Sequence, residues 1–100
     1  MYSSVTTFQV QPDKVDELIR IYEEASQALP GLQGLKDSRL LTDRSTGKGL
    51  VVAVWETEAD IKAFENNPVF REAMAGLQSI LSAPPSREYY EVSSELKASS

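Results

Sequence analysis

The longest unbroken apolar stretch of the chain runs from Leu50 to Trp55, six residues without a polar side chain. The stretch is rich in valine and too short to span a membrane, which indicates a β-strand. Alternate residues of a strand point to opposite faces, so a run without polar alternation predicts a strand covered on both faces. A chain of one hundred residues forms one domain, so we expect another copy to supply the second cover.

The N-terminal third of the chain predicts a strand followed by a helix. Tyr2–Val10 is rich in Val, Thr and aromatic residues, which is typical of a strand. Pro12 ends that strand and is tolerated in the first turn of a helix. Apolar residues three and four apart, separated by acidic ones, then predict an amphipathic helix as far as Leu29. Pro30-Gly31 ends this helix.

The middle of the chain predicts a β-hairpin. An extended segment covers Leu35–Thr42, and the turn-forming residues 43–47 connect it to the apolar strand. Thr57 is then placed to cap a helix, with Asp60 three residues later as an acidic variant of the capping box. The hairpin is therefore expected to lead directly into a second helical region.

A helix break and a last strand complete the pattern. Asn66-Asn67-Pro68 interrupts the helical region, since the residue before proline avoids helical geometry. A new apolar stripe from Val69 to Leu81 predicts a further helix that ends before Pro84-Pro85. Arg87–Val92 then has the aromatic and polar composition of a final strand.

The order of these elements is βαββαβ, which predicts a ferredoxin-like α+β fold. Four antiparallel strands would carry the helices on one face, and a second sheet packed on the open face would make a dimeric α+β barrel. We expect one domain over residues 1–93, a polar tail over residues 94–100 and a homodimer through the open sheet face.

Composition excludes several kinds of chemistry. The chain has no Cys and no His, so disulfides, thiolate nucleophiles, imidazole metal sites and Ser-His-Asp triads are all excluded. The formal net charge of −5 disfavours nucleic acid and anionic membranes as partners. The N-terminus has no basic and long apolar regions typical of a signal peptide. We expect a cytoplasmic protein without a metal or another cofactor.

The chain resembles the antibiotic-biosynthesis monooxygenase-like domains of the dimeric α+β barrel superfamily. The resemblance extends from Val5 to Val92 and rests on three features: Pro30-Gly31 before the second strand, Val54-Trp55-Glu56 at the end of the third, and the segment TEADIKAFENNPVFREAM with its break at residues 67–70. It implies a small-molecule pocket and activities that include cofactor-independent oxygenation of phenols, quinol oxygenation and haem degradation. A shared fold does not choose among these.

Departures from the family pattern narrow the choice. Haem-degrading members use Asn on the first strand, Trp after the third strand and His beyond the helix break. The corresponding positions here hold Thr6 or Thr7, Phe64 and Met74. The resemblance therefore implies a cofactor-independent monooxygenase-like protein acting on a small phenolic or quinol-type molecule. The alternative is a dimeric α+β barrel that binds a small ligand without catalysis, in a stress-associated role for example.

No catalytic residue is identified from the sequence, but several side chains are candidates for binding a small apolar or aromatic ligand. Trp55 could stack on a flat ring, while the apolar side chains at helical spacing would form a soft wall. Tyrosine hydroxyls could donate to a ligand oxygen and arginines could stabilise a phenolate or enolate. Core packing or surface exposure would explain each residue without a function. The candidates are Trp55, Phe64, Met74, Tyr22, Tyr90, Arg39 and Arg71.

Two other protein classes share the βαββαβ order. An RNA-recognition domain would need exposed aromatics on its third strand, where this chain has Leu50 and Val52. An amino-acid-binding regulatory domain normally accompanies an enzyme domain, which we do not expect in a chain of this length. Both therefore rank below the monooxygenase-like and ligand-binding interpretations.

Overall fold

The computed structural model of the protein describes residues 1–28 and 31–98. It contains four strands and three α-helices, and the helices lie on one face of the sheet. Leu29 and Pro30, where the first helix was expected to end, lie outside the described residues, as do Ser99 and Ser100 of the tail. In order, the elements are β1 (Tyr2–Gln9), α1 (Val15–Gln27), β2 (Leu35–Asp43), β3 (Lys48–Trp55), α2 (Glu58–Glu65), α3 (Pro68–Leu77) and β4 (Ser86–Glu91).

The predicted ferredoxin-like sheet is confirmed. Its strand order is β2-β3-β1-β4, and every neighbouring pair is antiparallel. β2 and β3 form the expected hairpin, with an irregularity between Leu35 and Asp37. The sheet stays open, since β2 and β4 are its two edges. None of the described helices is long and apolar enough to cross a membrane.

Local sequence signals explain where the helices begin. Pro12 opens a single 3-10 turn that leads into α1. The Thr57 hydroxyl accepts a hydrogen bond from the backbone N–H of Asp60, so the predicted cap of α2 is confirmed. At the predicted break, the Asn67 side chain caps α3 through the N–H of Val69, at 2.8 Å. Pro68 follows at the first position of α3, where its missing N–H costs nothing.

α3 is shorter than its apolar stripe predicts. The helix ends at Leu77, whose carbonyl accepts hydrogen bonds from the N–H groups of both Ile80 and Leu81. This turn brings Leu81 to an isolated β-bridge with Val10. Leu81 still packs against the core, so the stripe correctly predicted burial while overestimating the helix.

A close approach of two loops requires glycine at the end of the hairpin turn. Gly47 has a φ of 81°, and its carbonyl accepts a hydrogen bond from the N–H of Val10 at 2.9 Å. A Cβ at this position would lie 1.9 Å from the carbonyl oxygen of Val10. Glycine therefore fixes the hairpin against the end of β1.

Each strand has one helix-covered face and one open face. Along β1, the buried residues Ser4, Thr6 and Phe8 alternate with less buried neighbours on the open side. The register pairs Ser4 with Ala53, which places Trp55 on the covered side as well. The covered side holds two separate core clusters. One contains Phe8, Val10, Val15, Leu18 and Leu77, and the other contains Ala53, Trp55 and Ile61.

Candidate functional site

A cavity of about 360 Å³ lies between the helices and the covered face of the sheet. Residues of both core clusters line it: Phe8, Leu18 and Leu77 belong to the first, while Ala53 and Trp55 belong to the second. The cavity therefore separates the two clusters, whereas the core of a small domain is usually continuous. A volume in this range suits a small ligand.

The wall of the cavity next to α2 is aromatic. The ring centroids of Trp55 and Phe64 are 5.1 Å apart, and those of Phe64 and Phe70 are 4.7 Å apart in an edge-to-face arrangement. Met74 lies on the same lining as an adaptable apolar side chain. This arrangement of rings favours a flat apolar ligand.

Most polar groups of the cavity already have partners. The hydroxyls of Tyr22 and Ser38 are hydrogen-bonded to each other at 2.8 Å. The indole N–H of Trp55 donates to the Ser4 hydroxyl at 3.2 Å, so the buried tryptophan has its polar atom satisfied. None of these groups requires a ligand as a hydrogen-bond partner.

Arg87 is the exception. Its side chain is only 18% exposed, and it lines the cavity from β4. Nε donates to the Glu65 carboxylate at 2.5 Å, and Nη1 donates to the Thr6 hydroxyl at 2.6 Å. Nη2 is buried and has no hydrogen-bond partner among the described residues. A buried donor that belongs to a charged group and lacks an acceptor is rare and costly.

Glu65, the last residue of α2, is the counter-charge of this arginine. Its carboxylate accepts hydrogen bonds from Arg87 and from the Tyr89 hydroxyl. Burial alone would raise the pKa of Glu65, but these two hydrogen bonds and the positive charge of Arg87 outweigh it and lower the pKa. The hydrogen bond to Glu65 raises the pKa of Tyr89 in turn. At neutral pH the lowered pKa keeps Glu65 ionised, and the raised pKa keeps Tyr89 protonated.

A second cavity of about 330 Å³ lies on the other side of this cluster, between α2 and the β1–β4 edge. Glu65 and Tyr89 line the second cavity, whereas Arg87 lines the first. The ion pair therefore forms part of the wall between the two cavities. The remaining residues of the second cavity are Tyr2, Glu58, Ile61, Lys62, Tyr90 and Glu91.

The structure brings four of the seven predicted ligand-binding residues together. Trp55, Phe64, Met74 and Tyr22 all line the first cavity. Their role in binding stays a prediction.

The other three predicted residues lie away from the first cavity. Arg39, on the open face of β2, pairs with Asp37 at 3.2 Å. Arg71 is exposed on α3 and donates to the Asn66 side chain. Tyr90 is 52% exposed and bonds to Glu88.

Sequence reasoning did not identify Arg87, Glu65 or the buried hydroxyl of Ser4, and it named Thr6 only as one of two positions that correspond to the Asn of haem-degrading members. The signal available was weak: Arg87 and Tyr89 are two apart on one strand, so they share a face. Which face is covered depends on pairing with β1, where Thr6 lies opposite Arg87. Thr6, Glu65 and Arg87 come from three elements, and only the folded sheet shows that they meet.

Comparison with known protein families shows the family to which the chain belongs. The model of the antibiotic biosynthesis monooxygenase family matches residues 1–76, three quarters of the chain. The chain belongs to this family. The match contains three of the four strands, α1, α2 and all of α3 except Leu77, with most of the first cavity, but ends before Arg87.

Solved structures share the fold at low sequence identity. SnoaB of Streptomyces nogalater, described as a cofactor-independent oxygenase and solved as a mutant, is 16% identical, with a TM-score of 0.79 and 97% of each chain covered. Rv0793 of Mycobacterium tuberculosis is 12% identical, with a TM-score of 0.81, covering 96% of this chain and 98% of that one.

NE2512 of Nitrosomonas europaea, a protein of unknown function, is 18% identical and also has a TM-score of 0.81. The match covers 99% of this chain and 95% of that one. No curated protein matches the chain significantly. At these identities the solved structures show a common fold.

The fold also places the positions at which the chain departs from haem-degrading relatives. Thr6 faces the cavity and Thr7 points to the open face, while Phe64 and Met74 line the cavity. At the three positions that hold Asn, Trp and His in haem-degrading members, this chain therefore has a hydroxyl, a phenyl ring and a thioether facing the cavity.

Proposed function

We propose that the protein is a cofactor-independent monooxygenase-like enzyme that acts on a small phenolic or quinol-type molecule in the first cavity. The observation that carries this proposal is Arg87, a cationic side chain in a largely apolar lining, whose buried Nη2 has no hydrogen-bond partner among the described residues. Membership of the monooxygenase family supports the reaction class. The description of SnoaB as a cofactor-independent oxygenase supports the absence of a cofactor.

The guanidinium of Arg87 favours a ligand with one anionic oxygen. An unpaired buried donor costs about 1–3 kcal/mol, which a phenolate or enolate oxygen on Nη2 would remove. A charge-assisted hydrogen bond of this kind is about twice as strong as a neutral one. The same contact would stabilise the oxyanion from which the reaction with dioxygen starts.

The remaining lining fits the body of such a molecule. Trp55, Phe64 and Phe70 offer ring faces and edges to an aromatic ligand. A dry apolar space also suits dioxygen, and it strengthens the contact between Arg87 and the oxyanion. The aromatic wall and the cation therefore favour an aromatic molecule that carries an ionisable hydroxyl.

The proposed reaction needs few groups from the protein. For an anthrone-type phenol, an enolate formed by loss of one proton from the ring CH₂ of its keto form adds dioxygen, and return of the proton gives a hydroperoxide. Loss of water then leaves a carbonyl, so one oxygen atom enters the product and the other leaves in water. Among the described residues that line the cavity there is no Asp or Glu. The substrate must therefore be acidic enough to ionise to water or through a neighbouring hydroxyl, as phenols and quinols are.

Oxygen uptake tests this proposal directly. The purified protein is incubated with anthrone-type and quinol-type compounds in aerated buffer, and calorimetry first establishes that each compound binds. We expect oxygen consumption with product formation, and a loss of at least about tenfold in Arg87→Gln, in line with removal of a charge-assisted contact. Bound compounds that are recovered unchanged would refute the enzymatic proposal.

The same cavity also supports a second candidate function, stoichiometric ligand binding without turnover. It is favoured by the lack of a carboxylate in the lining, because a general base that could accelerate proton removal is missing from the described cavity residues. In this case the calorimetric affinity would depend on Arg87 in the same way, while oxygen consumption would stay at the background rate.

We further propose that a second copy of the chain covers the open face of the sheet. Val5, Leu50, Val52 and Val54 form an apolar band there, flanked by Leu41, which is 49% exposed. An apolar band on one sheet face is typical of an interaction surface. Light scattering at micromolar concentration tests this proposal, and a monomeric mass would contradict it.

A further inference from the structure

We propose that Glu65 is a positioning residue: it holds the Arg87 guanidinium so that Nη2 is presented to an anionic oxygen in the first cavity. This inference rests on the proposed role of Arg87 in ligand binding. It adds that a carboxylate outside the cavity controls the anion preference within it.

Hydrogen bonds fix two of the three guanidinium nitrogens. Glu65 accepts from Nε at 2.5 Å, and Thr6 accepts from Nη1 at 2.6 Å. A guanidinium is planar with its donors in a fixed fork, so these contacts set the direction of Nη2. They reach Arg87 from α2 on one side and from β1 on the other, and neither occupies Nη2.

Aromatic rings limit the remaining freedom of the group. Cζ of Arg87 lies 5.2 Å from the centroid of Phe70 and 5.6 Å from that of Tyr89, both within cation–π distance. Tyr89 also donates its hydroxyl to Glu65, which fixes the carboxylate itself. The guanidinium is thus held by two hydrogen bonds and two rings.

Glu65 lies where it can orient Arg87 without meeting the ligand. Its side chain is 27% exposed and lines the second cavity, and it is absent from the lining of the first. Two effects of this carboxylate therefore oppose each other. By orienting Nη2 it strengthens anion binding, and by its own negative charge it weakens anion binding. Removal of Glu65 separates them, because only the positioning role predicts weaker binding.

Two fluorescent probes of similar shape provide the measurement. Anilinonaphthalene sulfonate is apolar and anionic, and N-phenylnaphthylamine lacks the sulfonate. Both are titrated into the full chain at neutral pH, and the ratio of their dissociation constants reports the anion preference of the cavity. We expect the wild-type protein to prefer the anion and Arg87→Gln to lose that preference.

The Glu65→Ala variant tests the positioning role. We expect its affinity for the anionic probe to fall about tenfold, the size of one charge-assisted contact, while its affinity for the neutral probe stays the same. Glu72→Ala is the matched control, because it removes the same charge from an exposed position on α3. Unchanged or tighter binding of the anion by Glu65→Ala would overturn the inference.

If Glu65→Ala does not fold, it will bind neither probe, and a second variant then tests the positioning role. Glu65→Asp keeps the charge but withdraws the carboxylate by one methylene from Nε of Arg87. Positioning predicts weaker binding of the anionic probe, and unchanged affinity would refute it. If the wild-type protein shows no anion preference, the proposed role of Arg87 fails and the inference falls with it. A preference that survives loss of Glu65 refutes the positioning role alone.

Discussion

Along each strand, side chains point alternately to the covered face and to the open face of the sheet. The polarity of the side chains on these two faces of β1 and β3 differs in an unexpected direction. On the covered face of β1, the hydroxyls of Ser4 and Thr6 are buried at 2% exposure each. On the open face, the apolar side chains of Val5 and Val52 are only half-buried. A single domain that folded for stability alone would have the opposite distribution.

This difference favours a role for each face in addition to stabilising the fold of one chain. The buried hydroxyls have partners in Trp55 and Arg87, two residues of the cavity lining. Polar groups inside a core cost stability unless they are paired. The presence of these paired hydroxyls therefore favours a binding site in the core. The half-exposed valines fit the proposed contact with a second copy. The predictions below place changes on one face and compare them with the other.

A charge on the covered face is expected to have the largest effect. Ala53 is 6% exposed and belongs to the core cluster that contains Trp55. Ala53→Asp would bury a carboxylate without a partner, and we expect it to lower the free energy of unfolding by about 4 kcal/mol or more. Urea unfolding at fixed protein concentration measures this loss. A loss below about 1 kcal/mol would show that this part of the cavity wall is open to water.

The same charge one residue earlier is expected to act on association instead. Val52 faces the open side and lies opposite Arg39 of β2, which can compensate a carboxylate there. Val52→Asp should therefore keep the folded monomer and its circular dichroism spectrum, while the dimer dissociates. Light scattering over a concentration series measures the change. If the wild-type protein and the variant have the same mass in solution, Val52 does not lie in a dimer interface.

An added methyl group tests how tightly the covered face is packed beside the cavity. A Cβ on Gly49 would lie 2.6 Å from Cδ2 of Leu18, so Gly49→Ala should cost about 1–3 kcal/mol through overpacking. Gly76, on α3, is the control, since a Cβ there meets nothing within 4 Å. Gly76→Ala should instead stabilise by about 0.5–1 kcal/mol through helix propensity. Equal changes in thermal unfolding would indicate that Leu18 moves away freely.

The sequence predicted the elements well because their signals are local. Thr57 and Asn67 cap helices through residues two or three positions away, and the apolar run of β3 identifies its own strand. The aromatic part of the cavity was also predictable, because Phe64 and Met74 follow helical spacing. The end of α3 was overestimated, since the apolar stripe continues through a turn that is not helical.

The charged part of the site could not be predicted in this way. Thr6, Glu65 and Arg87 are separated by 81 residues between the first and the last, and their contacts depend on which strands pair. Arg39 and Arg71 look like equally good cations in the sequence. Only burial distinguishes Arg87 from them, and burial of a charged residue follows from the whole fold.

The smallest expected effect concerns the pH dependence of the ion pair in the cavity wall. The folded-state pKa of Glu65 is lowered, so its contribution to stability is complete above the ordinary glutamate pKa of about 4.3. The contribution disappears as the pH falls through the folded-state pKa. Wild-type protein should therefore exceed Glu65→Gln in unfolding free energy by about 1–2 kcal/mol near pH 7, and by much less near pH 3.

Urea unfolding at both pH values measures this difference, and carboxylates common to both proteins cancel in it. Glu72→Gln is the control: Glu72 is exposed on α3, so its difference from wild type should stay near zero at either pH. A Glu65→Gln difference that is the same at both pH values would show that the carboxylate contributes through its shape. In that case the charge of Arg87 would be compensated from elsewhere, and the wall between the two cavities would not depend on this ion pair.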